Sequence, residues 1–283
     1  MSDSSTDTAV SVISPVAFIG GGNMARSLIG GLIARGGAAD AVRVAEPVDT
    51  LREALQSDFG VRSYASAAEA VPGASVWLLA VKPQVMRSVC AALAEQAQAQ
   101  RPLVISIAAG ITAEQLDRWL GGGLAVVRAM PNTPALLGVG ITGLYANAAV
   151  TAPLRERASA LLDAVGATVW IEQEAQMDAV TAVSGSGPAY VFLLAEAMQA
   201  AGEAQGLAPE AARALVNQTL LGAATMLARS DDTAATLRAR VTSPGGTTQA
   251  AIEIFEAGGL RALVDRAIAG ATLRGRELSA AND

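Results

Sequence analysis

Over the first half of the chain, short apolar runs alternate with amphipathic stretches; after Glu172 the runs stop and a period near 3.6 takes over. Val16–Ile19, Val42–Ala45, Ser75–Val81, Leu103–Ile107 and Leu124–Arg128 are nearly continuous apolar runs bounded by turn residues, the pattern of strands buried on both faces. Between them, Asn23–Arg35, Thr50–Ser57 and Ala113–Leu120 have the length and polarity of crossover helices, which predicts a parallel α/β sheet. Val139–Tyr145 and Thr168–Ile171, separated by the helix-like Ala152–Val165, extend that sheet in a direction the pattern does not fix.

The remainder reads as helices over Ala175–Gln205, Pro209–Arg229, Thr233–Arg240, Thr247–Ala257 and Leu260–Leu278, punctuated by Pro209, Pro244 and Gly258-Gly259. Two domains are therefore expected, an α/β domain over residues 15–172 and an all-helical one over 173–283. Met177–Met198 is apolar around most of its circumference, and burial against a second copy of the chain is the simplest outlet for such a surface. No repeat of fixed period is present, which excludes a solenoid. Residues 1–14 open on the polar, acidic stretch Ser2–Thr8, without the basic and apolar regions of a secretory signal, and read as a disordered leader.

Composition narrows the chemistry. The 283 residues are 52% hydrophobic and 16% charged, yet no run reaches the roughly 18 uninterrupted apolar residues of a membrane span. A formal net charge of −6 is the wrong sign for neutralising nucleic-acid phosphates. Cys90 is the sole cysteine, so no intrachain disulfide and no cysteine-cluster metal site can form, no metal is expected, and a cytoplasmic location is the default. The chain has no histidine, which removes serine–histidine triads, cysteine–histidine pairs, histidine-ligated metals and the commonest general acid–base. Lys82 is the single lysine among 20 basic residues, and so marks either a site where arginine's planar head does not fit or a chance leftover on a solvated loop.

Five motifs remain as carriers of chemistry. Gly20-Gly21-Gly22-Asn23-Met24-Ala25 follows the first strand and opens a helix, where glycines let the backbone approach a pyrophosphate whose charge is met by helix N-terminal N–H groups. Glu46 ends the second strand about 26 residues after Gly20, close to the offset expected of a ribose-binding carboxylate. Such a carboxylate favours NAD over NADP; the alternatives are a solvated glutamate before Pro47 pointing away, or compensation of a phosphate by Arg43 and Arg52. Ala80-Val81-Lys82-Pro83-Gln84 and Ser106-Ile107-Ala108-Ala109-Gly110 close two strands at the sheet edge where ligands bind. Met130-Pro131-Asn132-Thr133-Pro134 holds Asn132 in a proline-stiffened loop. In the helical half, Ser184-Gly185-Ser186-Gly187-Pro188 interrupts a strong helix, a cost that a close backbone or ligand approach, or a helix crossing, would offset. Thr242-Ser243-Pro244-Gly245-Gly246-Thr247-Thr248 sets free N–H groups beside helix-start hydroxyls, a ready carboxylate site.

The Ser-Gly-Ser-Gly-Pro-Ala-Tyr run ending at Tyr190 and the Ser-Pro-Gly-Gly-Thr-Thr run ending at Thr248 resemble the signature of the pyrroline-5-carboxylate reductases. The Ala-Val-Lys-Pro of 80–83 and the Pro-Asn-Thr-Pro of 131–134 carry the likeness across most of the chain. The resemblance implies an N-terminal Rossmann domain binding NADPH or NADH and a C-terminal helical domain that interleaves with a partner copy, as a homodimer or a larger oligomer. It further implies reduction of a cyclic imino acid to L-proline. In those terms Ser243, with Gly245 and the N–H groups of Gly246 and Thr247, would hold the substrate carboxylate, and the Thr248 hydroxyl would meet the ring nitrogen. Gly20, Gly22, Asn23, Met24, Ala25, Glu46, Ala80, Lys82, Pro83, Ala108 and Asn132 would line the cofactor. Two other readings compete. A β-hydroxyacid-type dehydrogenase would use a lysine in its helical domain, and none follows Lys82. A non-catalytic dinucleotide sensor would bind the cofactor without turnover.

Overall fold

The computed structural model describes residues 15–280 of the chain, so the expected leader over residues 1–14 lies outside the described residues. Eight strands form one sheet: β1 (Val16–Ile19), β2 (Val42–Ala45), β3 (Arg62–Tyr64), β4 (Val76–Leu79), β5 (Leu103–Ser106), β6 (Ala125–Met130), β7 (Gly140–Ala146) and β8 (Gly166–Trp170). Their order is β3-β2-β1-β4-β5-β6-β7-β8, parallel from β3 to β6, with β7 antiparallel to β6 and β8 parallel to β7. The chain thus moves outward from β1 in both directions, and the crevice at the carboxyl ends of β1 and β4 is the switch point where doubly wound sheets bind ligands.

The apolar runs follow from this placement. Val16 and Phe18 point into one buried layer with Leu28, Leu32 and Leu162, whereas Ala17 and Ile19 point into the other with Trp77, Met86 and Cys90. Both faces are covered by helices, so adjacent strand positions are mostly apolar, with Arg43 of β2 and Arg128 of β6 as exceptions. β3 has no such run, because its residues are half-buried or exposed at the sheet edge and only its backbone pairs with β2.

Six helices connect the strands or lie beside them: α1 (Asn23–Ala34), α2 (Asp49–Phe59), α3 (Ala67–Ala70), α4 (Pro83–Gln100), α5 (Ala113–Trp119) and α6 (Ala152–Leu162). Pro83 opens α4 at its first position, where the missing N–H costs nothing. Six more follow: α7 (Met177–Val180), α8 (Gly187–Ala204), α9 (Pro209–Arg229), α10 (Ala234–Arg240), α11 (Thr247–Ala257) and α12 (Leu260–Ala280). The helix read as interrupted at residues 184–188 is divided by a π-helical turn over Thr181–Gly185, closed by the Ser186 N–H donating to the Thr181 carbonyl at 2.8 Å.

Among the described residues the chain forms two compact units, one running to Ser186 and resuming at Ala271, the other spanning Gly187–Gly270. Residues 174–186 thus group with the sheet. Glu174 accepts from the Ala113 N–H at 2.6 Å and pairs with the buried Arg128 of β6 at 2.8 Å, and Val180 packs so close to Gly143 of β7 that a side chain there would collide with it. In the second unit, α8 and α9 pack together where Gly202 meets Leu207 and Ala212. No residue of α8 is buried, and Phe192 and Leu193 are 67% and 66% exposed. No helix among the described residues is long and apolar enough to cross a membrane.

Candidate active site

The glycine turn after β1 is built from two kinds of glycine. Gly20 has φ +104°, donates its N–H to the Ala45 carbonyl at 2.9 Å, and lies so close to β4 that a Cβ would sit 2.7 Å from the Ala80 carbonyl oxygen. Its lack of a side chain serves the fold. Gly22 has φ −68° and ψ −179°, ordinary extended backbone, and a Cβ there would meet nothing within 4 Å. The space above Gly22 is thus open.

Gly22 is the N-cap of α1, with no side-chain cap and no acidic residue in the first turn. The leading amides of the helix, from Asn23, Met24 and Ala25, are left for an anion. Asn23 is exposed, Met24 half-buried, and Ala25 buried against the sheet. A cradle that excludes side chains and offers uncapped amides fits a dinucleotide pyrophosphate.

Glu46 is not the solvated glutamate that one reading allowed: it is 7% exposed. Its Oε2 accepts the Gly21 N–H at 3.1 Å and its Oε1 the Val48 N–H at 3.0 Å, which hold the carboxylate against the glycine turn. Nor are the two neighbouring arginines free for a phosphate. Arg52 donates to the Glu46 and Pro47 carbonyls at 2.8 and 2.9 Å and pairs with Asp49, while Arg43 reaches the Pro72 carbonyl.

Ala80, next to Gly20, donates its N–H to the Ile19 carbonyl at 2.8 Å and so sits at the switch point. Lys82 is the N-cap of α4, exposed, and its ammonium makes no hydrogen bond or ion pair among the described residues. Ala108, half-buried, donates its N–H to Ser106 Oγ at 3.3 Å. Beside these strand ends lies a cavity of about 210 Å³ lined by Pro83, Gln84, Ala109, Gly110, Thr181 and Gly275, among others. It joins the loop after β5, the start of α4, the π-helical turn and the last turns of α12.

Asn132 is committed to the protein itself. Its Oδ1 accepts the Ile141 N–H at 3.0 Å and its Nδ2 donates to the Ser184 carbonyl at 3.2 Å, so it ties the loop after β6 to the π-helical turn. The sequence, from which Asn132 was expected to line the cofactor, did not show this tie, which leaves that expectation open.

In the second unit, around the start of α11, the Thr242 hydroxyl donates to the Arg238 carbonyl at 2.7 Å, whereas those of Ser243, Thr247 and Thr248 make no hydrogen bond among the described residues. Gly245, at φ +70°, donates its N–H to Gln249 Oε1 at 2.7 Å, and the Gly246 N–H closes the turn onto the Ser243 carbonyl at 3.0 Å. The Gly246 amide, expected to bind a carboxylate, is thus occupied by the turn. The amides left open are those of the first turn of α11, where Gly246 is the N-cap without a side-chain cap or acidic neighbour. Gln249 was missed in the sequence; a glutamine one turn after a Pro-Gly-Gly is its only signal.

Residues 174–278 match the family model described as pyrroline-5-carboxylate reductase dimerisation, and residues 15–110 match one described as NADP oxidoreductase coenzyme F420-dependent. The chain is 53% identical over 264 residues to the pyrroline-5-carboxylate reductase of Pseudomonas aeruginosa, covering 93% of this chain and 96% of that protein. The solved pyrroline-5-carboxylate reductase of Coxiella burnetii superposes with a TM-score of 0.92 at 41% identity, covering 94% of this chain and 98% of that one. The Plasmodium falciparum pyrroline carboxylate reductase, solved with NADP bound, gives 0.81 at 27% identity over 94% and 98%. The chain is therefore a member of the pyrroline-5-carboxylate reductase family.

Proposed function

We propose that this protein reduces 1-pyrroline-5-carboxylate to L-proline with a hydride from NADPH or NADH, the last step of proline biosynthesis. The observation that carries this reading is a pair of uncapped, acid-free helix starts, α1 behind Gly22 and α11 behind Gly246, in a chain of this family. One suits a pyrophosphate and the other a substrate carboxylate.

The reduced nicotinamide supplies the hydride that adds to the carbon of the C=N bond. Everything else asked of the protein is binding and orientation. The turn from Gly20 to Gly22 and the amides of Asn23, Met24 and Ala25 hold the pyrophosphate, Glu46 faces the ribose, and Ala80, Lys82, Pro83 and Ala108 border the nicotinamide half. The Ser243 hydroxyl and the open amides of Thr247 and Thr248 hold the carboxylate, with Gly245 and Gly246 shaping the turn. The Thr248 hydroxyl meets the ring nitrogen.

A cyclic imine is basic enough to arrive protonated, so hydride addition to the iminium carbon yields the neutral amine, which then takes a proton from water. No strong enzymic acid is needed, which suits a chain without histidine. Holding two rings in reacting geometry supplies the rate, a contribution of up to roughly 7 to 11 kcal/mol. The lysine that a hydroxyacid dehydrogenase uses in its helical half has no counterpart after Lys82.

The protein acts as a homo-oligomer. The match of residues 174–278 to a dimerisation family and the exposed Phe192, Leu193 and Ile254 support a partner copy of this chain over the helical unit, with interleaved helices in a dimer or larger assembly. A single buried cysteine and the biosynthetic role support a cytoplasmic location. The test is steady-state oxidation of NADH and of NADPH by purified protein, with and without pyrroline-5-carboxylate.

A further inference from the structure

We infer that Glu46 excludes the 2′-phosphate of NADPH, so that this protein prefers NADH. The inference rests on the reading that the glycine turn binds a dinucleotide, and adds which dinucleotide that is.

Glu46 follows β2 directly and is buried, with both carboxylate oxygens held by backbone amides, Oε2 by Gly21 and Oε1 by Val48, at 3.1 and 3.0 Å. A carboxylate fixed in this way cannot swing into solvent to relieve repulsion. Each oxygen keeps a lone pair for a ribose hydroxyl, so a 2′-OH is welcomed where a phosphate is repelled. The Glu46 N–H is itself fixed on the Tyr64 carbonyl of β3 at 3.0 Å, and the side chain of Leu55 lies against Gly21 from the other side.

A phosphate at this position would need a cation, and the three arginines around it each hold a partner already. Arg52 spends Nη1 on the Glu46 and Pro47 carbonyls and Nη2 on Asp49. Arg43, earlier on β2, donates to the Pro72 carbonyl. Arg26 pairs with Asp58 and stacks 5.2 Å from the centre of the Phe59 ring, and its Nη1, like Arg43 Nε, is buried without a hydrogen-bond partner among the described residues, enclosed by protein rather than open to a ligand. Asp49 adds a further negative charge two residues from Pro47. The ribose end thus presents one fixed carboxylate, with Arg26, Arg43 and Arg52 each already holding an oxygen of the protein.

The test is calorimetric titration of the full-length protein with NADH and with NADPH, repeated on Glu46→Gln and Glu46→Ser, with thermal unfolding of each variant. The wild-type protein should bind NADH more tightly by about tenfold or more, and both variants should narrow the gap chiefly by gaining affinity for NADPH. Equal affinities in the wild type, tighter NADPH, or variants that lose both ligands in parallel would overturn the role of Glu46 while leaving the dinucleotide reading in place. Failure of both dinucleotides to bind the wild type would overturn that reading itself. If the variants do not fold, competition by ADP against 2′,5′-ADP on the wild type decides the matter, with ADP the stronger competitor if Glu46 discriminates and 2′,5′-ADP the stronger if it does not.

Discussion

Asn132 and Ser184, 52 residues apart, are joined by an Asn132 Nδ2 hydrogen bond to the Ser184 carbonyl at 3.2 Å, while the same amide accepts the Ile141 N–H at 3.0 Å. One side chain thus fixes both the entry to β7 and the π-helical turn that borders the cavity at the strand ends. A π-helical turn leaves carbonyls misaligned with the regular ladder, and an amide that meets one of them holds the irregular turn in place. Asn132→Ala removes both bonds and is expected to cost about 1 to 3 kcal/mol of stability. Denaturant unfolding checks this, and an unchanged midpoint would show that the two bonds do not hold the turn.

The two outer glycines of the turn after β1 should fail in different ways. Gly20→Ala puts a Cβ at 2.7 Å from the Ala80 carbonyl in a backbone of φ +104°, and should destabilise the protein by roughly 3 kcal/mol or more. Gly22→Ala meets neither obstacle and should unfold within about 1 kcal/mol of the wild type. With the pyrophosphate held as proposed, its methyl group would nonetheless crowd that site and weaken dinucleotide binding by about tenfold or more. Thermal unfolding beside a binding titration separates the two.

Thr248→Ala should lower turnover at saturating substrates more than Glu46→Ala does, by about tenfold or more if its hydroxyl meets the ring nitrogen in the transition state. Glu46→Ala should act mainly through cofactor affinity. Equal turnover numbers in the two variants would remove the role assigned to the Thr248 hydroxyl.

Cys90 lies in the layer beneath β4 and α4, and burial pushes its thiol up to about 12. The native protein should resist alkylation at pH 8 and react once unfolded. Because the folded value lies above the ordinary thiol value near 8.5, its stabilising contribution is complete below that pH and is lost as pH rises toward about 12. Alkylation followed by mass spectrometry, together with unfolding across pH 8 to 11, provides the check.

Much of this was legible in the chain because burial on both faces leaves a simple mark. Val16–Ile19 and Val42–Ala45 stand where their apolar runs place them, since all their side chains but that of Arg43 are buried. β3 left no mark, because at the edge of the sheet its Arg62, Ser63 and Tyr64 contribute backbone pairing and little burial. The interruption at Gly185 and Gly187 was legible as a cost, but its π-helical form depends on a backbone bond from Ser186 to Thr181 that no side chain announces. The same limit hid the orientation of Glu46, whose partners are the amides of Gly21 and Val48, and the loss of the Gly246 N–H to the Ser243 carbonyl. Side-chain types reveal where chemistry is placed, and backbone donors decide which of those groups remain free to perform it.

The most direct measurement is the fate of a deuteride. Incubating the protein with pyrroline-5-carboxylate and dinucleotide deuterated at the transferring position of nicotinamide C4 should give L-proline labelled once, at the ring carbon that borders nitrogen and lies away from the carboxylate. Proline formed without that label, or no proline from protein shown to bind the dinucleotide, would contradict the account.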